Sequence, residues 1–233
     1  MEHIDSAISD ALYYQRSGSL SVPLPLGGGD IMFNNVRSGG VLRVREEPMM
    51  NMTFINSSSS STFPLTISSI TYTPVSNFWV PQGYSWQFGS LNVTKGDLTT
   101  PLRLSTGDET EIDQFSEALF TLSGNNGDLE ITCAGIRPGM RNTTSGNGIA
   151  SLNLNADKST FPTISGVSRI TINITSELPA TFGDHLRNYV NDSIKDPPTN
   201  EWENDPSGNI TYTYPLNQPN LTITKLNLIL SVE

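Results

Sequence analysis

Residues 50–72, MNMTFINSSSSSTFPLTISSITY, alternate apolar and polar side chains on both sides of a run of five serines. Before the run, Met50, Met52 and Phe54 occupy every second position, and Leu65 and Ile67 do so after it. Successive side chains of a strand point to opposite faces, so this spacing predicts two strands that each bury one row. The serines carry too little apolar surface to repay ordering, and we expect them at a loop tip.

The composition indicates exposed faces built from neutral, hydrogen-bonding side chains. Of 233 residues, 52 are Ser or Thr and 21 are Asn, while charged residues make up 15%, against roughly 25% in an average globular domain. This composition is common in extracellular and virion β proteins. The formal net charge of −10 argues against a nucleic-acid partner, because binding a phosphate backbone needs clustered Lys and Arg.

The start of the chain and its hydropathy indicate where the protein is expected to be assembled. Residues 1–5 lack the basic start and apolar stretch of an export signal. No apolar run reaches the roughly 18 residues of a membrane span, so we expect no membrane partner. A surface-type composition without an export signal fits a protein that is assembled in a host cytoplasm and released as part of a virion.

Few residues suggest catalysis, and we expect no cofactor and no metal. The single cysteine, Cys133, is in phase with Leu129 and Ile131, which predicts a buried side chain; a reactive thiol is the alternative. His3 and His185 are the only histidines, and no nucleophile-elbow sequence accompanies His185. A hydrolase would require one pocket that combines His185 with two acids.

The segment 107–113, GDETEID, concentrates four carboxylates. Calcium loops use several oxygen ligands, but the ordered Asp-x-Asp-x-Asp-Gly spacing is missing here. The remaining interpretations are a solvated acidic loop, or acids gathered at the N-terminus of a short helix.

Residues 1–40 are predicted to form an arm with a short helix. Ile4, Ile8 and Leu12 share one helical face at residues 4–16. This apolar stripe either packs on its own domain or docks on a neighbouring subunit. Leu228 and Leu230, in a predicted final strand with a bulge near Thr224 and Lys225, are further candidates for docking.

From residue 41 the strand signals recur at regular spacing, with Gly, Pro, Asn and Asp between them. We expect an all-β fold with an Ig-like sandwich at 41–140 and a second β-rich domain at 141–233, which contains a helix at 183–195. One jelly-roll sandwich over 41–233 is the alternative. The predicted strands are 41–45, 50–56, 65–73, 84–93, 101–105, 116–122, 128–134, 149–155, 168–175, 209–214 and 221–232.

The sequence MNMTFINSSSSSTFPLTISSITYTP, followed later by LFTLSGNNGDLEITCAGI, resembles the Ig-like modules of phage structural proteins and bacterial surface proteins. The resemblance covers about 90 residues, and the number of strands predicted there fits such a sandwich. It implies a fold and a setting, and it carries no functional motif.

Trp79 and Trp86 flank the turn sequence Pro81-Gln82-Gly83. If exposed, their rings could form a platform for sugar; otherwise they pack in a core or an interface.

The function expected from these patterns is that of a non-enzymatic virion protein: a capsid-decorating, minor capsid or tail-associated component. Its partners would be capsid or tail proteins of the same particle and further copies of itself. A carbohydrate-binding or adhesion module that uses exposed aromatic side chains is the alternative.

Overall fold

The computed structural model describes residues 2–27, 39–75, 82–101, 109–125, 128–175, 178, 180–194, 202–204, 210–213 and 219–233. The described residues are mostly β, with two sheets and three short helices, which confirms the expected all-β sandwich. The helices are α1 (Glu2–Tyr14), α2 (Glu109–Leu119) and α3 (Ala180–Ile194). The strands are β1 (Gly18–Pro25), β2 (Gly39–Asn56), β3 (Ser60–Val75), β4 (Gln82–Gln87), β5 (Ser90–Lys95), β6 (Leu98–Pro101), β7 (Phe120–Asn125), β8 (Asp128–Pro138), β9 (Thr143–Gly146), β10 (Ile149–Thr160), β11 (Val167–Ile174), β12 (Trp202–Asn204), β13 (Ile210–Thr213) and β14 (Leu221–Val232).

The smaller sheet has the order β1-β10-β14-β8-β7, and the larger sheet has the order β12-β13-β11-β2-β3-β4-β5-β6. Strand β9 pairs with the first part of β2, and β11 pairs with its second part. All pairs are antiparallel except β8 with β14. The two sheets meet where β3 passes β8, and there the Ser68 hydroxyl donates to the Ile136 carbonyl over 3.0 Å.

The hairpin of β2 and β3 is the pair of strands expected from the alternating stretch. Met50, Met52 and Phe54 are buried, as are Leu65 and Ile67. The turn lies at residues 57–59, because the last two serines already pair with β2. The Asn56 side-chain oxygen accepts the backbone N–H groups of Ser58 and Ser59 at 3.0 and 2.7 Å, which closes the turn.

Strand β2 joins two predicted strands, 41–45 and 50–56, into one. Pro48 lies opposite Thr66 and Met50 opposite Leu65, so Met49 is an extra residue in a β-bulge. Both Met49 and Met50 are buried. The bulge moves the buried row of β2 from one face of the sheet to the other, since side chains alternate with a period of two.

The central strands of the smaller sheet also change their buried face, but without a bulge. Leu221 and Ile223 are buried in one phase of β14, and Leu226, Leu228 and Leu230 in the other. The predicted bulge near Thr224 and Lys225 is wrong, because the pairing of β14 with β10 and with β8 is continuous through these residues. A regular strand can bury both rows where different faces are covered at its two ends.

Two other predicted strands differ from the structure, and a third, 101–105, lies outside the described residues apart from Pro101, the last residue of β6. Residues 84–93 form the hairpin of β4 and β5, which turns at Phe88 and Gly89. Most of 116–122 was predicted wrongly, because α2 extends to Leu119 and only then does β7 begin. The predicted helix at 183–195 corresponds to α3, and the helix of the arm to α1.

The strand pairing crosses the domain boundary that was expected near residue 140. Strand β8, from the first expected domain, pairs with β14, and β2 pairs with β11. Strand β1, from the expected arm, lies at an edge of the smaller sheet beside β10. The buried apolar residues of all three parts form one continuous cluster. The described strands therefore build one two-sheet unit, in place of an arm and two domains.

Candidate functional site

The five residues expected to dock on a partner lie inside the chain's own core. Ile4, Ile8 and Leu12 are at most 1% exposed, because α1 turns its apolar stripe toward the sheets. Of the two interpretations of the arm, the structure supports packing on its own fold. The docking role of Leu228 and Leu230 is corrected in the same way: both are fully buried in β14, which is paired on both sides.

Trp86 lies on the core side of β4 and is fully buried, so the prediction that its ring binds sugar is wrong. Its indole Nε1–H donates to the Asp5 carboxylate of α1 over 2.8 Å. A ring enclosed in this way leaves no face on which a sugar could stack. Trp79, the other candidate, lies in residues 76–81, outside the part of the chain that the structure describes.

Around Trp86, an aromatic cluster joins the helices to the β4–β5 hairpin. The ring of Phe115, on α2, meets Trp86 edge-on at a centroid distance of 6.2 Å. Phe182, on α3, lies 6.0 Å from Phe115 and stacks on Phe88 at 4.9 Å. Phe88 has a positive φ of 51° at the turn. This conformation is unfavourable for a bulky residue, and the stacking with Phe182 helps to hold it.

A groove opens above this cluster, between α1, α2 and the β4–β5 turn. Its cavity volume is about 230 Å³. Gly89 lies at the turn with a φ of 73°, and a Cβ atom added there would come within 3.0 Å of the Phe115 ring. Glycine is therefore required at this position for both its conformation and its space. The lining residues of the groove are Asp5, Ser9, Leu12, Tyr13, Gly89, Gln114, Phe115 and Ala118.

The groove combines polar groups with an exposed aromatic ring. Asp5 is only 6% exposed, and the indole of Trp86 fixes its carboxylate. Ser9 and Gln114 add a hydroxyl and an amide, each of which can both donate and accept hydrogen bonds. Tyr13 is 76% exposed at the end of α1 and meets Tyr14 edge-on at 5.2 Å. Together they could hold a small ligand that has hydroxyl groups and an apolar face.

His185 does not line this groove. Its Nδ1 lies 3.1 Å from the Asp113 carboxylate of α2, and this pair joins α3 to α2. No group of three or more His, Cys, Asp or Glu side chains that could hold a metal ion occurs within the described residues. The contact shown for His185 is with one carboxylate, that of Asp113.

The acids of segment 107–113 partly correspond to a helix start. Helix α2 begins at Glu109, and its first turn includes Glu111. Carboxylates near a helix N-terminus are favoured by the helix dipole. The backbone of residues 109–113 forms the start of α2, whereas 107 and 108 lie outside the described part.

Cys133 is buried in β8, as its phase predicted. Burial raises the pKa of its thiol to about 12, while Lys225, opposite it on β14, acts to lower this pKa. Burial also lowers the pKa of Lys225, whose ammonium donates to the Pro64 carbonyl over 3.4 Å. A thiol with a raised pKa is a weak nucleophile near neutral pH, which argues against the reactive-thiol interpretation.

A second candidate surface is the outer edge of β6. All four residues of β6 are exposed, and Leu98 is 73% exposed. The inner side of β6 pairs with β5 through a two-residue turn, in which Gly96 has a φ of 61°. Pro101 has no N–H, which suits a residue whose backbone nitrogen points away from β5. Backbone groups alternate in direction along a strand, so the N–H and C=O of Thr99 also point away from β5. No strand within the described ranges pairs with this side.

Strand β1 forms an edge of the smaller sheet, and part of this edge is unsuited to pairing. Pro23 and Pro25 lie opposite Ser151 and Ile149 of β10. Because proline is tolerated where its missing N–H would point away from the neighbouring strand, this half of the outer edge has no donors. Pro101 removes one outward donor from the shorter β6 edge in the same way, so the strongly exposed Leu98 is the feature that marks β6 as the candidate for adding a strand.

Sequence reasoning missed both surfaces. Tyr13 and Gln114 lie at exposed helical positions, which follow no apolar periodicity and so carry no sequence signal. Ile112, Phe115 and Leu119 at i, i+3 and i+7 are a helical pattern that could have located α2.

No family model, no curated protein and no solved structure matches this chain. No helix among the described residues is long and apolar enough to cross a membrane.

Proposed function

We propose that this chain is a non-enzymatic structural component of a virion, placed on the capsid or the tail, that acts through contacts between subunits. The observation that carries the proposal is the exposed edge of β6. The Ser-, Thr- and Asn-rich composition and the resemblance to phage and bacterial surface modules support the same setting. The partners are further copies of this chain or other proteins of the particle.

The contact is made by strand addition at β6. Unpaired backbone groups along an exposed edge are a template for another strand. At β6 these groups are the outward N–H and C=O of Thr99 and the C=O of Pro101, so the contact is short. Leu98 adds an apolar side chain at the start of the edge, where its exposure is otherwise unfavourable. The buried stripe of α1 and the buried rows of β14 contribute to the fold of the subunit alone.

The test is a pair of proline substitutions that differ only in the direction of the lost N–H. Thr99→Pro removes the outward donor and leaves the pairing with β5 intact. Thr100→Pro removes an inward donor, so it weakens the β5–β6 hairpin itself. Sedimentation velocity over a range of concentrations would be recorded for the wild type and both variants, with unfolding in urea as a check on folding.

We expect the wild type to form a concentration-dependent oligomer and Thr99→Pro to remain monomeric with unchanged stability. Thr100→Pro should lose both association and some stability. A wild type that is monomeric at all concentrations and does not bind purified particles would refute the proposal. Full association of Thr99→Pro would show that the contact is not at this edge.

A further inference from the structure

We infer that the groove between α1, α2 and the β4–β5 turn binds one neutral sugar unit. The observations that support this are the cavity, the buried carboxylate of Asp5, the polar side chains of Ser9 and Gln114, and the exposed ring of Tyr13. This site is on another part of the surface from the β6 edge and does not depend on subunit assembly.

The size of the groove restricts the ligand. Pockets for drug-sized molecules measure roughly 300–1,000 Å³, and this cavity of about 230 Å³ lies below that range. The groove is partly open to solvent, so a longer glycan could place one terminal unit in it.

The chemistry of the lining favours a sugar ring over other small molecules. A sugar presents neighbouring hydroxyls that donate and accept, and a C–H face that is apolar. The carboxylate of Asp5 can accept from a hydroxyl, and the amide of Gln114 can do both. The broad ring of Tyr13 offers a face for the C–H groups.

Asp5 gives this groove a buried polar group that is held in a fixed position. A carboxylate that is nine-tenths buried is costly unless it is hydrogen-bonded, and the Trp86 indole N–H holds it in one position. A fixed acceptor loses no side-chain freedom when a ligand binds. A hydroxyl that donates to the same carboxylate would weaken its bond to Trp86, so the indole N–H is a reporter of binding.

The experiment is a titration of ¹⁵N-labelled full-length protein, followed by two-dimensional NMR. The probes are the methyl glycosides of α-glucose, α-mannose, α-galactose and N-acetylglucosamine, each tested separately, and n-butylammonium as a cationic comparison. The indole signal of Trp86 is assigned by its loss in Trp86→Phe.

At least one glycoside should shift the Trp86 indole signal and the amides of residues 9–14 and 114–118, with saturation. Tyr13→Ala is expected to weaken that binding about tenfold and Gln114→Ala several-fold, whereas n-butylammonium should leave these signals unchanged. A tenfold loss corresponds to about 1.4 kcal/mol, within the range of one aromatic contact.

Two variants serve as matched controls. Tyr14→Ala removes the neighbouring exposed tyrosine, and Gln82→Ala removes an exposed glutamine on β4; neither residue lines the groove. Both should bind within twofold of the wild type. The inference fails if no glycoside shifts the indole, if the controls lose as much affinity as the groove variants, or if n-butylammonium binds in place of the sugars. None of these results bears on association at β6.

Discussion

At the scale of single residues, the bond between Trp86 and Asp5 connects α1 to the larger sheet. The indole N–H and the carboxylate are both buried, so neither can exchange its partner for water at low cost. Removing the donor leaves a buried carboxylate with less stabilisation.

We therefore expect Trp86→Phe and Asp5→Ala to be coupled. A hydrogen bond to a charged group contributes about 1.5–3 kcal/mol. The double variant should therefore lose less unfolding free energy than the two single variants lose together, and the difference should be about that amount. The free energy of unfolding in urea measures the cycle. A second cycle with Asp10→Ala, an exposed acid of the same helix, should show coupling below about 0.5 kcal/mol. Equal coupling in both cycles would contradict the assigned bond.

Cys133 makes the stability depend on pH in the alkaline range. Burial raises the pKa of its thiol from 9.0 to about 12. A raised pKa in the folded state means that the unfolded chain loses its proton first. This contribution to stability is therefore complete below pH 9 and is lost as the pH rises toward 12.

We expect the wild type to lose about 2 kcal/mol more than Cys133→Ala between pH 7.5 and pH 10.5, because one pKa unit corresponds to about 1.36 kcal/mol. The raised pKa of Tyr72 is common to the two proteins. Burial lowers the pKa of Lys225 in both, but Cys133 acts to raise that pKa and does so only in the wild type, so the difference between the two proteins reports the thiol together with its effect on Lys225. Urea unfolding at the two pH values is the measurement. Parallel losses in the two proteins would show that the thiol is not buried as described.

At the scale of secondary-structure elements, α1 is an internal part of the sandwich. Its stripe of Ile4, Ile8 and Leu12 fills the same core as the sheets. Ile8→Ala should therefore cost about 2–5 kcal/mol in a dilute, isolated chain. Leu20→Ala, at a half-exposed position of β1, should cost under about 1 kcal/mol. If Ile8→Ala left the dilute protein unchanged and weakened only its association, α1 would be a docking arm.

Period-two alternation located most strands, because burial of one row is a local property of the sequence. It could not show which face of a strand is buried where the buried row changes sides. In β2 the extra residue Met49 changes the buried face, and a bulge has no reliable sequence signal. The predicted strand 116–122 covers the end of α2, although Ile112, Phe115 and Leu119 have a helical spacing.

The parallel pair of β8 and β14 could have been found from the sequence. In β8 the buried phase changes between Cys133 and Ala134, and in β14 it changes between Ile223 and Leu226. The two changes lie side by side in the observed register. Two strands that change phase at matching positions are candidates for neighbours, whereas a bulge in one strand alone would shift their register. The groove could not be predicted, because it depends on how three elements meet.

At the scale of the whole molecule, strands from distant parts of the chain share both sheets and one core. The N-terminal segment supplies an edge strand and a helix, and the last strand lies at the centre of the smaller sheet. The apolar rows are thus satisfied within one chain. The proposed contact with other subunits therefore uses exposed backbone, as at β6.

Hydrogen exchange of the isolated protein at several concentrations, read by mass spectrometry, tests this account most directly. We predict that the amides of α1 and of residues 226–230 exchange slowly even at the lowest concentration. The outward amide of Thr99 should be fast when dilute and become protected as association begins. Fast exchange of α1 and 226–230 in dilute solution, with protection only at high concentration, would mean that these elements need a partner and would contradict the account.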